Sequence, residues 1–301
     1  MDSDVRVSRK DFLALLGAGT FLLPGILRAG TGTAKLGFQL YTVRHQIEKD
    51  FGKTIGTVAA MGFMGVETYP LPESVSVERA ARTIRDAGLT VSGMHTDLPV
   101  GRERDRIPAM ADAYQCRNVI YPGWPAGLSA GDPHLLQRVK EVFRDMDETR
   151  RRVDLYNDIG AFFRGKGLRF GLHNHWWEFE TQNGIIPFYY LRDHLDSDIF
   201  FEIDTYWAKT AGRDPAAVVH DFGSRAPFLH IKDGPATQDE QMFAHVPAGS
   251  GTLDFPAIAK AGGNNTEWMI AEFDEYAGDI FAGLQASYSY LTQHGLVHGN
   301  R

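Results

Sequence analysis

Cysteine is almost missing from this chain. Cys116 stands alone among 301 residues, which excludes an internal disulfide and any cysteine-based zinc site. Beside a predicted strand, its thiol reads as a small buried hydrophobe. Concentrated positive charge is missing too. Lys and Arg number 31 against 38 Asp and Glu, a net charge of −7, so the chain lacks the basic footprint that nucleic acid requires. The single basic run, Arg150-Arg151-Arg152, falls in a charge-mixed helical stretch and reads as a solvated face. No Gly-x-Gly-x-x-Gly follows any strand, which removes the usual dinucleotide cradle. A Gly-rich phosphate loop is absent beyond Gly249-Ser250-Gly251.

The N-terminal stretch is set apart by its pattern. Charged Ser8-Arg9-Lys10-Asp11-Phe12-Leu13-Ala14 precedes the apolar run Leu15 to Leu23, and small residues follow at Thr31-Gly32-Thr33-Ala34. The run is short for a membrane span, and the order of segments is that of a secretory signal. It resembles a twin-arginine (Tat) signal, with Lys10 replacing the second arginine and Ala14 the lysine. Residues 1–34 are therefore expected to be an export signal, and the mature protein periplasmic with no membrane contact. An uncleaved N-terminal membrane anchor is the alternative.

From Lys35 onward short apolar runs alternate with amphipathic segments. The pattern predicts strands at Lys35–Tyr41, Gly65–Glu67, Thr90–His95, Asn118–Tyr121, Arg169–His175, Phe200–Asp204, Phe228–Lys232 and Trp268–Phe273. Helices are predicted between them, among them Ile107–Tyr114, a long stretch Leu135–Phe163 broken near Asp147, Ile186–His194 and a final Ile280–His294. Eight βα units over residues 35–301 fit a single-domain (β/α)8 TIM barrel. The longest irregular connection, Gly234 to Asp254, follows the seventh strand, and connections of that length commonly carry function.

Polar residues gather at the C-terminal strand ends, which in a barrel converge on one mouth. They are Gln39, Tyr41, Glu67, His95, Tyr121, His173, His175, Asp204, His230, Lys232 and Glu272. Alternate strand residues share a face, so His173 and His175 are expected to point the same way. Metal-type ligands stand at four consecutive strand ends: His173 (or His175), Asp204, His230 and Glu272. A mixed His/carboxylate set suits one divalent cation, Mn²⁺, Zn²⁺, Co²⁺ or Mg²⁺.

The stretch His173-Asn174-His175-Trp176-Trp177-Glu178-Phe179 matches a His-Asn-His-x-x-Glu-Phe signature. With it come Phe38-Gln39-Leu40-Tyr41-Thr42-Val43-Arg44, Gly65-Val66-Glu67, Asp204-Thr205-Tyr206-Trp207, His230-Ile231-Lys232-Asp233 and Gly249-x-Gly251-x-x-Asp254-Phe255. Together they resemble the sugar phosphate isomerase/epimerase group of xylose-isomerase-like TIM barrels. The resemblance implies a divalent metal held by Asp204, His230 and Glu272, with His173 or Glu178 as the first ligand. It implies proton transfer next to a carbonyl through an enediolate, with Glu178 and Glu272 moving the proton and His175 and Lys232 holding hydroxyls or the oxyanion. Gln39, Glu67, His95, Trp124 and Trp207 are expected to bind the substrate.

The expected partner is a small non-phosphorylated sugar or keto sugar, with self-association left open. Three functions fit this reading. The first is a sugar isomerase or epimerase, or a 3-keto-glycoside lyase/hydratase on the same site. The second is a non-catalytic sugar-binding barrel. The third is an abasic-site endonuclease. The acidic charge, the export signal and Trp207, which stands where that nucleic-acid branch carries another His, all argue against the third.

Overall fold

The computed structural model describes residues 34–123 and 145–300, together with Gln137, Arg138, Glu141 and Phe143. Residues 1–33 of the segment expected to direct export, and Trp124, lie outside them. Eight parallel strands form a closed barrel in sequence order: β1 Lys35–Gln39, β2 Gly65–Thr68, β3 Thr90–His95, β4 Asn118–Tyr121, β5 Arg169–His173, β6 Phe200–Asp204, β7 Phe228–Ile231 and β8 Trp268–Ala271. β8 pairs back onto β1 and closes the ring. Helix starts are fixed by side chains: Asp50, Ser76, Asp145, Asp214, Asp254 and Asp279 each accept a backbone N–H from the first turn. Among the described residues no helix is long and apolar enough to cross a membrane.

The barrel interior is stacked in layers set by the two-residue period of each strand. Its floor is filled from one side. Phe200, Phe228, Trp268 and Ile270 form one buried cluster with Ile120, and glycines opposite make room for the rings. A Cβ on Gly65 would lie 2.6 Å from the Trp268 ring, and one on Gly37 would lie 2.7 Å from Ile270. Two residues further along the same strands, the apolar floor gives way to Gln39, Glu67, His173, Glu202 and His230, all buried. Asp204, Lys232 and Glu272 stand above them, also buried. The outward faces of the strands, Phe201, Ile203, Leu229 and Met269 among them, pack in the main hydrophobic core with the helices.

Some boundaries differ from those the sequence predicts. β1 stops at Gln39, whose side chain accepts the Tyr41 N–H and caps a short 3-10 turn, Leu40–Val43. The helix between β3 and β4 runs Gly101–Tyr114, starting earlier than expected. The helix before β5 begins at Met146, because Asp145 accepts the Glu148 N–H at 2.7 Å and caps it. β5 ends at His173 rather than His175. There the Asn174 amide takes over from the backbone: its Oδ1 accepts Asp204 N–H at 2.9 Å and its Nδ2 donates to Asp204 O at 3.1 Å. The next N–H, of His175, turns away to Glu178 Oε2 at 2.8 Å. Strand alternation therefore places His173 but not His175.

Candidate functional site

Strand register brings the chemistry together. His173 lies opposite Glu202 on β5 and β6, Asp204 opposite His230 on β6 and β7, and Gln39 opposite Glu67 on β1 and β2. The result is a buried polar column with two levels.

The upper level faces the mouth. Asp204, His230 and Glu272 each offer a ligand atom within 4.8 Å of the others. His230 Nδ1 lies 2.6 Å from Glu272 Oε2 and 4.0 Å from Asp204 Oδ2. His173 Nε2 lies 3.9 Å from Asp204 Oδ2. Lys232 Nζ is held 2.9 Å from each of Asp204 Oδ2, Glu272 Oε2 and Asp274 Oδ2. One imidazole and two carboxylates form a donor set that borderline divalent cations accept, with His173 beside it at 3.9 Å from Asp204, while His95, His173, Glu202 and His230 make a second group of ligand atoms within 4.8 Å of one another.

The charges are consistent with that use. Burial pushes the Asp204 carboxyl up to about 6, even with the Lys232 ammonium and His230 beside it. An added cation would relieve that carboxylate. Burial alone would neutralise Lys232, but Asp204, Asp274 and Glu272 outweigh it and hold the ammonium charged. Burial likewise opposes ionisation of Glu272, and Lys232 and His230 overcome it.

The lower level is made of Gln39, Glu67, His95 and Glu202 and the inward nitrogens of the two shared histidines. Glu202 Oε2 receives three imidazoles, His95 Nε2 at 2.7 Å, His173 Nδ1 at 3.0 Å and His230 Nε2 at 3.2 Å. Glu67 Oε2 receives Gln39 Nε2 at 2.7 Å, His230 Nε2 at 2.7 Å and His95 Nε2 at 2.9 Å. Burial pulls His95 down, but Glu67 and Glu202 outweigh it, and its pKa stands at about 9. His230 follows the same balance, held well above the usual histidine range by Glu202, Glu272 and Glu67. His173 goes the other way: burial keeps it neutral, with its pKa at about 3.

Aromatic side chains wall the mouth. His175 stacks on Trp177 at 4.1 Å between centroids, burial keeps it neutral, and Trp207 lies 4.9 Å from Trp176. Lys232 Nζ sits 5.4 Å from the Trp207 ring centre. Phe243, from the long connection after β7, lies 5.4 Å from Trp207 and is 38 % exposed, so it forms the rim.

The structure thus brings together His173, Asp204, His230, Glu272 and Lys232 above, and Gln39, Glu67 and His95 below. Glu178 belongs to neither group of ligand atoms. Its carboxylate accepts the His175 N–H, and together with His173 it lines a small cavity with Tyr121, Tyr156, Leu172 and Phe188. Burial raises its pKa to about 8. Three residues were missed by the sequence reading. Glu202 had a usable signal, because Phe200-x-Glu202-x-Asp204 puts it on the same face as Asp204. Asp274 follows Glu272 by two residues beyond the strand end. Phe243 sits in an irregular loop where no periodicity marks it.

Comparisons with known proteins agree with this architecture. The profile of a family described as "Xylose isomerase-like TIM barrel" matches residues 55–275. No curated protein sequence matches the chain. A sugar phosphate isomerase/epimerase from Parabacteroides distasonis has a similar structure, with a TM-score of 0.71 at 20 % identity over 88 % of this chain and 100 % of its own. A D-allulose 3-epimerase from Methylomonas sp. superposes with a TM-score of 0.60 at 14 % identity, over 87 % of this chain and 98 % of its own. A 3-keto-D-glucoside 4-epimerase from E. coli gives 0.61 at 17 % identity, over 87 % and 100 %. At these identities the likeness establishes the fold alone.

Proposed function

Because the chain belongs to the xylose isomerase-like TIM barrel family, we propose that it is a divalent-metal-dependent isomerase or epimerase of a non-phosphorylated sugar or keto sugar. The observation that carries this reading is the upper level of the column. There His173 Nε2, Asp204 Oδ2, His230 Nδ1 and Glu272 Oε2 converge beneath an aromatic mouth. These four residues would hold the cation. When bound, it would polarise a sugar carbonyl and stabilise the charge that develops on its oxygen.

The remaining roles belong to side chains. Lys232, kept charged by the three carboxylates that take its N–H groups, places a positive charge beside an oxyanion or hydroxyl at the same point. Of the two ligand carboxylates Glu272 is the more exposed, at 6 % against 0 % for Asp204, and moves the proton next to the carbonyl. His175, neutral and stacked on Trp177, lines the pocket for sugar hydroxyls. Trp176, Trp207 and Phe243 offer flat apolar faces to a sugar ring. Beyond Gly249-Ser250-Gly251 the sequence carries no Gly-rich phosphate loop, and the export signal expected over residues 1–34 would take the chain away from phosphorylated sugars.

The test is solvent exchange. Metal-loaded protein is incubated in D₂O with free ketoses and 3-keto-glucosides, and C–H signals are followed by NMR. Deuterium should enter next to the carbonyl, and Glu272→Gln should lower the exchange rate by at least about 100-fold. Loss of the glycosidic substituent instead would identify a lyase. A wild type that binds metal and sugar without exchange would be a binding barrel, and the proposal would fall.

A further inference from the structure

The two shared histidines each have one nitrogen in each level. A neutral imidazole carries one N–H and one lone pair, so a cation above can be bound only if the proton sits on the nitrogen below. Both lower nitrogens meet buried carboxylate oxygens. His173 Nδ1 lies 3.0 Å from Glu202 Oε2, and His230 Nε2 lies 2.7 Å from Glu67 Oε2. Each side chain is fully buried at the carboxylates, with 0 % exposure for Glu67 and Glu202, so neither can turn to solvent for other partners. A lone pair facing those oxygens would be repelled, whereas an N–H is bonded.

The two carboxylates are themselves tied. His95 Nε2 lies between them, 2.9 Å from Glu67 Oε2 and 2.7 Å from Glu202 Oε2. Its ring runs parallel to that of His230, with 2° between planes and 5.5 Å between centroids. Gln39 adds a further donor to Glu67 at 2.7 Å. The floor below offers only apolar side chains, Phe200, Phe228 and Trp268.

We infer that Glu67, His95 and Glu202 are positioning residues that fix which nitrogen of His173 and His230 faces the mouth, and so set the upper level in its metal-binding form. This rests on the upper level being the cation site. It gives Glu67, expected from sequence to touch the sugar, a place one layer beneath it, while His95, with 11 % of its side chain exposed, is the least buried of the group. Outer carboxylates that hold ligating histidines are general to metal sites, and their loss typically weakens metal binding about 10–100-fold.

The experiment uses the full chain with ¹⁵N-labelled histidine, metal-free and zinc-loaded. Long-range ¹H–¹⁵N correlation reads the tautomers, and zinc titration reads affinity and stoichiometry. Expected are His173 protonated on Nδ1 in both forms and His230 protonated on Nε2 in the zinc form. Glu202→Gln should mix the His173 tautomers and weaken zinc about 10–100-fold, with the circular dichroism unchanged. Glu67→Gln, which should act through His230, is the second variant should the first not fold. Wild-type His173 carrying its proton on Nε2, both variants binding zinc as tightly as wild type, or two zinc ions per wild-type chain would overturn the inference. A wild type that takes no zinc sinks the functional reading instead. In that case the metal-free His173 tautomer still decides the positioning role: a proton on Nδ1 supports it and a proton on Nε2 overturns it.

Discussion

Asn174 pairs with the backbone of Asp204 much as a peptide group would, and Glu178 receives the N–H that this substitution turns aside. The sequence stretch His173 to Glu178 is therefore a clasp as well as a source of ligands. The cost falls on Glu178, a carboxyl buried to 2 % exposure whose pKa is raised by burial from 4.5 to about 8. A carboxyl whose folded pKa lies above its unfolded pKa holds more proton when folded, so its contribution to stability declines as pH rises from about 4.5 to about 8. Glu178→Gln keeps an acceptor for His175 and removes that decline. At pH 7 it should be more stable than wild type, by up to about 3 kcal/mol, with no difference in this respect below pH 4.5. Urea unfolding of both proteins at several pH values measures this. Glu178→Gln should also retain sugar exchange if Glu272 is the residue that moves the proton, as proposed above.

Residue identity was legible in the sequence wherever strand period governed it. His173, Asp204, His230, Lys232 and Glu272 all sit where alternation along a strand leads. His175 and Glu178 could not be placed that way, because a side-chain amide, rather than the backbone, ends β5.

Among the connecting elements, the long segment after β7 is organised by one buried carboxylate. Asp233 accepts N–H bonds from Gly234, Gly249, Gly251 and Leu253 at 2.9–3.2 Å. The Gly249-x-Gly251 pattern follows from this. Gly249 has φ +85° and packs its backbone against Tyr290, while a Cβ on Gly251 would run into Asp233 Oδ1. Tyr206 fastens the same segment further out, accepting from Ala236 N and donating to Met242 O. Asp233→Ala would leave the buried N–H groups of Gly234 and Leu253, and the part-buried ones of Gly249 and Gly251, without that acceptor and should destabilise the chain by about 2 kcal/mol. Hydrogen exchange should show lost protection across residues 246–253 before it does so in the barrel strands. Gly251→Ala should give a smaller loss in the same segment. The sequence pattern marks this connection as long, but its anchor lies 16 residues from Gly249, beyond the reach of local periodicity.

For the molecule as a whole, the barrel was readable because eight apolar runs of similar spacing admit few other closures. The asymmetry of its floor was not, since it depends on which strands face each other across the interior. Gly65 is small because the Trp268 ring occupies the space, and backbone oxygen of Thr90 lies 2.8 Å from where a Cβ would be. Gly65→Ala should cost about 1–3 kcal/mol through overpacking. Trp268→Phe in the same chain should recover part of that loss, and a double-mutant cycle by thermal unfolding reads the coupling. Equal and additive losses would show that the ring is not the obstacle.

The strand that opens the barrel has one further property. Ala34, just ahead of β1, is buried at the floor, where its carbonyl accepts His298 N–H and the adjoining Leu36 N–H donates to His298 O. All eight strands run from that floor toward the mouth. The chain therefore enters β1 on the side away from the mouth, so Ala34, His298 and the apolar floor share one end of the barrel and Phe243 and the charged column the other.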